Sequence, residues 1–237
     1  MKRILAVAAA VLALLAAAAP PPYLLGAEIR RIPTDDRVMA LTFNAAWDET
    51  GLDTVLAVLR ERSAPATFFP TGQYAEQHPD AVRAMAAAGH GLGNHSYSHP
   101  RFDGLGPQQA RAEVLRADAA IRTASGAEPL PFFRFPYSET TPQGIADVNA
   151  LGFADIEFTA DTNGYLGEEG GMTVRKAVDR ALAALVPGGI LQLHVGVSDR
   201  EGPCLDAQAL PLILDAARAR GYRILDLRTL LDGATAR

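Results

Sequence analysis

Short apolar runs alternate along the chain with longer stretches in which apolar side chains return every three or four positions. "RVMALTF" (37–43) predicts a buried strand, and "GLDTVLAVLRER" (51–62), with Leu52, Val55, Leu56 and Leu59 on one face, predicts a helix. The pairing then repeats. Strands are predicted at "ATFFPTG" (66–72), "HGLGNHS" (90–96), "FFRFPY" (132–137), "FADIEFTAD" (153–161) and "GGILQLHV" (188–195). Helices fall between them at 80–89, 106–126, 141–152, 173–186 and 206–221, and "YRILDLRTLL" (222–231) reads as a seventh strand running into a terminal helix. Pro107 near the first turn and Gly126 after the last punctuate the long 106–126 helix. Strands apolar on both faces and separated by helices imply a parallel sheet wrapped by helices. Periodicity is compatible with an open doubly wound sheet, but seven β/α units in roughly 200 residues fit a compact barrel better. A single α/β domain is expected.

Residues 1–27 stand apart from this pattern. Lys2 and Arg3 precede an uninterrupted apolar run of 16 residues, 4–19, with small Ala17 and Ala19 near its end and prolines at 20–22. That is the pattern of a signal peptide, or of a signal anchor if it is not cleaved; the run is short of the roughly 20 residues of a membrane span. A secreted, periplasmic or cell-envelope location is expected. With Cys204 as its only cysteine the chain forms no internal disulfide, and Cys204 itself reads as a small loop residue. The formal net charge of −5, without a basic block, argues against nucleic acid as a partner.

The unusual polar residues gather where strands end, the place where parallel α/β folds build their sites. Asn44 ends the first strand, His95 and His99 follow the third, Arg134 and Tyr137 end the fourth, Asp161 the fifth and His194 the sixth. His95 and His99 are four residues apart. One helical turn would aim both imidazoles at a common point and suit a divalent metal such as zinc, at about 2.0–2.1 Å; a structural pair capping a loop has the same spacing.

"ALTFNAAW", "ATFFPTG", "GHGLGNHSYSHP", "FFRFPY" and "ILQLH" occur in the order and spacing of the polysaccharide deacetylases, the NodB-homology domains of carbohydrate esterase family four. The resemblance covers residues 35–231. It implies a distorted (β/α)7 barrel and a metal-dependent hydrolase that removes acetyl groups from N-acetylated cell-wall or chitin-like glycans. It further implies that His95 and His99 bind the metal, usually zinc or cobalt, and that the Tyr137 backbone N–H completes an oxyanion hole. His194 resembles the general acid that protonates the departing amine, and Arg134 the arginine that positions the catalytic base by a bidentate contact. Asp161 holds the place of the aspartate that orients the acid histidine; a structural carboxylate at a strand end is the alternative.

The first motif departs from the family. Where the family reads T-F-D-D-G, with a catalytic base followed by a third metal ligand, this chain has Asn44 and Ala45. An amide accepts no proton at neutral pH and a methyl binds no metal. Asp48 stands one turn beyond Asn44 and is a candidate substitute carboxylate, Glu49 a poorer one; both also suit a helix N-terminus. Trp47 is placed to wall a sugar ring or acetyl methyl, or simply to pack its loop. Two functions remain open: a divergent N-deacetylase, and a non-catalytic glycan-binding pseudoenzyme.

Overall fold

The computed structural model describes residues 19–183, 185–198 and 202–232. Most of the predicted leader therefore lies outside the described residues. Among those described, no helix is long and apolar enough to cross a membrane.

The strands are β1 (Val38–Ala45), β2 (Thr67–Pro70), β3 (Gly91–Leu92), β4 (Phe132–Phe133), β5 (Ala154–Asp155), β6 (Ala160–Asp161), β7 (Gly189–His194) and β8 (Arg223–Leu225). The helices are α1 (Leu52–Glu61), α2 (Gly72–Gln77), α3 (Pro79–Ala87), α4 (Pro107–Ser125), α5 (Pro142–Ala150), α6 (Val174–Ala183) and α7 (Leu205–Ala219). All strand pairings are parallel. The main sheet runs β3-β2-β1-β7-β6, with β8 also on β1, and β4-β5 form a second pair. Isolated bridges stitch the two into a ring: Asn94 to Phe133 joins β3 to β4, while Ile29 to Ile156 and Arg31 to Gly189 carry the chain from β5 back to β7. The result is the distorted barrel expected. Its short strands and bridges are the distortion.

β1 is the hub, and all eight of its residues are buried. Met39, Leu41, Phe43 and Ala45 pack into one cluster with Val55 and Leu59 of α1 and Leu210 and Ile213 of α7. Ala40, on the other face, joins Phe69, Phe132, Ala154 and Ile190 in a cluster drawn largely from strands, the barrel interior. Burying a Leu, Ile or Phe side chain contributes about 1.5–3 kcal/mol, and a one-residue slip would exchange the two faces. The register that sets the site is thereby fixed.

Three local expectations change. The run 153–161 is two strands, because Ala154 and Asp155 pair with β4 while Ala160 and Asp161 pair with β7. Helix α2 has no counterpart in the periodicity. It spans only Gly72–Gln77 and starts where Thr71 Oγ1 accepts from the Tyr74 N–H at 3.1 Å. The expected terminal helix is a single 3-10 turn, Leu227–Leu230, capped by Asp226.

Candidate active site

Parallel pairing places Asn44 directly beside His194 on the adjacent strand and beside Phe69 on the other. Above these strand ends lies a cavity of about 460 Å³ whose walls include Asn44, Trp47, His95, His99, Tyr137, Asp161 and His194. Seven of the residues singled out from the sequence line this cavity; Arg134 is not in its wall but donates to Asn44, and Asp48 and Glu49 do not line it. Six non-glycine residues among those described have positive φ, and five of them (Ser96, His99, Tyr137, Ser138 and Asn163) lie in the loops around this cavity. Such backbone costs energy and persists where the surroundings over-determine it.

The histidine pair is not on a helical turn. Residues 94–100 form a loop in which His99 adopts φ 57°, and side chains pin its shape. Asn94 Oδ1 accepts from the Ser96 N–H at 3.0 Å, its Nδ2 donates to the Val114 carbonyl at 2.9 Å, and Ser96 Oγ accepts from the His99 N–H at 3.1 Å. Glu113 of α4 accepts from the Tyr97 and Ser98 amides. The two imidazoles end with centroids 4.8 Å apart. His95 Nδ1 lies 2.8 Å from the Arg134 carbonyl, so that nitrogen carries the proton and Nε2 keeps its lone pair. Burial, reinforced by His99, holds His95 well below the usual histidine range, and burial pushes His99 down to about 4. Both are neutral at pH 7.

Arg134 is fully buried, its guanidinium 4.2 Å from the Phe69 ring centre. Nε donates to the Ile156 carbonyl at 2.9 Å and Nη1 to Asn44 Oδ1 at 3.0 Å. Burial lowers it to about 10, which leaves it charged at neutral pH. The contact with position 44 is single, where the resemblance implied a bidentate one. Asn44 Nδ2 donates onward to Gln192 Oε1 at 3.2 Å, and Gln192 Nε2 donates to Asp161 Oδ2 at 2.9 Å.

Asp161 is thus committed to Gln192 and to the Asn163 N–H, which it accepts at 2.8 Å. The carboxylate beside His194 is Asp206. Its Oδ2 accepts from the His194 backbone N–H at 2.8 Å and lies 3.6 Å from Nδ1. Both side chains are buried, and neither His194 Nδ1 nor Asp206 Oδ1 has a hydrogen-bond partner among the described residues. Sequence reasoning missed Asp206 because an acid in the first turn of α7 looks like a response to the helix dipole. It missed Gln192 because a polar residue inside an apolar strand was the only signal.

Trp47 stacks on Tyr165 at 5.8 Å and on His194 at 6.1 Å between centroids, walling the cavity on one side. Tyr137, 55% exposed, meets His99 edge-on at 4.7 Å and carries Arg101 over its ring at 4.6 Å. Cys204 is the loop residue immediately before α7, where it is buried, and burial pushes its thiol up to about 12.

Neither acid near the first motif replaces what is missing. Asp48 Oδ1 accepts from the Thr50 N–H at 2.8 Å and Oδ2 from the Val197 N–H at 3.0 Å, so it ties the loop after β1 to the loop after β7. Glu49 pairs with His78. Ala45 is fully buried in the apolar cluster. Catalytic zinc sites use three protein ligands. Here His95 and His99 would supply two, and no three His, Cys, Asp or Glu side chains converge among the described residues. The donor set is incomplete for a catalytic zinc.

Comparison with known proteins identifies the family. A family model described as polysaccharide deacetylase matches residues 31–156. A chitooligosaccharide deacetylase of Bradyrhizobium sp. (strain ANU 289) is 32% identical over 206 residues, covering 82% of this chain and 90% of that protein. A peptidoglycan-N-acetylglucosamine deacetylase of Bacillus cereus is 25% identical over 200 residues, covering 84% of this chain and 70% of the relative. Among solved structures, a CE4 family pseudoenzyme from Bacillus anthracis superimposes with TM-score 0.77 at 22% identity, over 87% of this chain and 69% of that one, a likeness of fold. With its barrel, its histidine loop and its sequence in agreement, this chain belongs to the polysaccharide deacetylase family, a family of hydrolases acting on carbon–nitrogen bonds.

Proposed function

We propose that this protein is an exported polysaccharide N-deacetylase of low turnover, binding an N-acetylated cell-wall or chitin-like glycan in the Trp47–Tyr137 cavity. The observation that carries the reading is the asymmetry of the site. On one side His194, with Asp206 on its backbone N–H, is placed to protonate the departing amine, and Tyr137 lines the cavity, where its backbone N–H would serve a developing oxyanion. On the other side Asn44 keeps the contact with Arg134 but has no proton-accepting group. Loss of a general base costs about 10²–10⁴-fold in rate. Zinc, the expected metal, has two imidazoles to hold it and would bind weakly. The apolar leader with its two basic residues supports export.

A second reading, a glycan-binding pseudoenzyme of the cell envelope, is favoured by one observation: the first motif lacks both the base and the third ligand, and Asp48 replaces neither. Acetate release from N-acetylglucosamine oligomers, measured beside calorimetric binding of the same oligomers, separates the two. Slow release that His194→Ala abolishes supports the hydrolase; binding with no release by either protein supports the pseudoenzyme. N-terminal sequencing of envelope or extracellular material tests export, and intact chain confined to the cytosol would contradict it.

A further inference from the structure

A line of hydrogen bonds crosses the floor of the cavity from Arg134 through Asn44 and Gln192 to Asp161. Its polarity is fixed at both ends. A guanidinium only donates and an ionised carboxylate only accepts. Asn44 must therefore present its oxygen to Arg134 and its NH2 to Gln192, and Gln192 must present its oxygen to Asn44 and its NH2 to Asp161. Both amides line the cavity but are only 6% exposed each, so little of either is open to water that could offset a mismatch. Asp161 is held in turn by the Asn163 N–H at 2.8 Å and cannot swing away freely.

We infer that Gln192, braced by Asp161, holds position 44 as an amide, so that the departure from the family motif is a coupled arrangement of two residues and not an isolated loss at Asn44. This deepens the reading above and rests on it in taking position 44 as the place of the base. An ionised aspartate at 44 would keep Arg134 on one oxygen and set the other against Gln192 Oε1, acceptor against acceptor. Turning the Gln192 amide over moves the conflict to Asp161 without removing it. The other charged or titratable groups of the cavity wall are His194 on the neighbouring strand, His95, His99, Tyr137, Tyr165 and Arg180, whose Nε donates to the Asp161 carbonyl; none of them takes part in the hydrogen bond between residues 44 and 192. With both carboxylates ionised, neither orientation of the Gln192 amide satisfies 44 and 161 together, so an aspartate at 44 fits the array only with an added proton, on 44 itself or, with Gln192 turned, on Asp161.

The test is a double-mutant cycle read by urea unfolding at pH 7, which needs no turnover. Asn44→Asp is made in the natural background and with Gln192→Leu, which removes the opposing acceptor. We expect Asn44→Asp to lower the folding equilibrium constant at least about tenfold more in the natural background than in the Gln192→Leu background, a coupling within the range of contacting residues. A second cycle uses Gln192→Lys, whose ammonium donates to both carboxylates; there Asn44→Asp should be stabilising. Equal cost of Asn44→Asp in all three backgrounds would overturn the inference. Because the readout is stability, a chain that never releases acetate leaves this result intact, and the hydrolase reading fails or stands separately.

Discussion

Asp206 occupies the space that a side chain at Gly164 would fill. A Cβ built on Gly164 would stand 2.1 Å from Asp206 Oδ1, and the same carboxylate holds the His194 backbone N–H at 2.8 Å. The absence of a side chain at 164 and the presence of an acid at 206 are one arrangement, and it brings a buried carboxylate to His194 from α7 instead of from β6.

Gly164→Ala should therefore destabilise the fold by about 1–3 kcal/mol through overpacking. Chemical denaturation checks this. The cost should largely disappear in the Asp206→Ala background, where the obstructing atoms are gone; an unchanged cost there would separate the two residues. Asp206→Ala alone leaves the buried His194 N–H unpaired, a loss of about 1–3 kcal/mol.

The histidine pair and the silent first motif give a metal prediction with a thermal readout. Zinc should raise the melting temperature of the natural chain slightly, and His95→Ala should remove the shift. Asp48→Ala should leave the zinc shift unaltered, since both of its carboxylate oxygens are engaged by backbone amides, while costing about 1–2 kcal/mol of stability. A zinc response lost with Asp48 and kept without His95 would reverse the assignment.

Asp155 gives a pH prediction. It is buried, neither carboxylate oxygen has a hydrogen-bond partner among the described residues, and burial, with Glu157 adding to it, pushes it up to about 9. Its folded value lies above its unfolded one near 4, so between those limits the folded chain holds a proton that the unfolded chain releases. Stability from this group is complete below about pH 4 and is lost as pH rises toward 9, by at most about 1.4 kcal/mol per unit. Asp155→Asn should flatten that decline in melts taken from pH 5 to 9. A parallel pH profile for the variant would show that other groups carry it.

Much of this was legible in the sequence because strand ends speak through residue type. Asn44, His95, His99, Arg134, Tyr137 and His194 are polar residues in apolar surroundings, and the barrel brings five of them to the wall of one cavity and Arg134 to a hydrogen bond with Asn44. The short helix α2 was not legible, since six residues carry too little periodicity. The histidines' approach was misjudged because it depends on a left-handed residue at 99 and on Asn94 and Glu113, which no spacing rule contains. The partner of His194 was sought on the strand that ends at Asp161. It comes from a distant helix, through a space that Gly164 leaves open, and only three-dimensional packing reveals that exchange.

On the proposed reading, the site keeps its acid half while Asn44, Ala45 and Gln192 together withhold the base half. Acetate release from N-acetylglucosamine oligomers in the presence of zinc measures it directly, comparing the natural chain, Asn44→Asp with Ala45→Asp, and the same pair with Gln192→Leu. The account predicts slow release from the natural chain, a limited gain from the pair, and a gain of about 10²-fold or more only when Gln192 is also replaced. Release by the natural chain as fast as by the triple variant would contradict it.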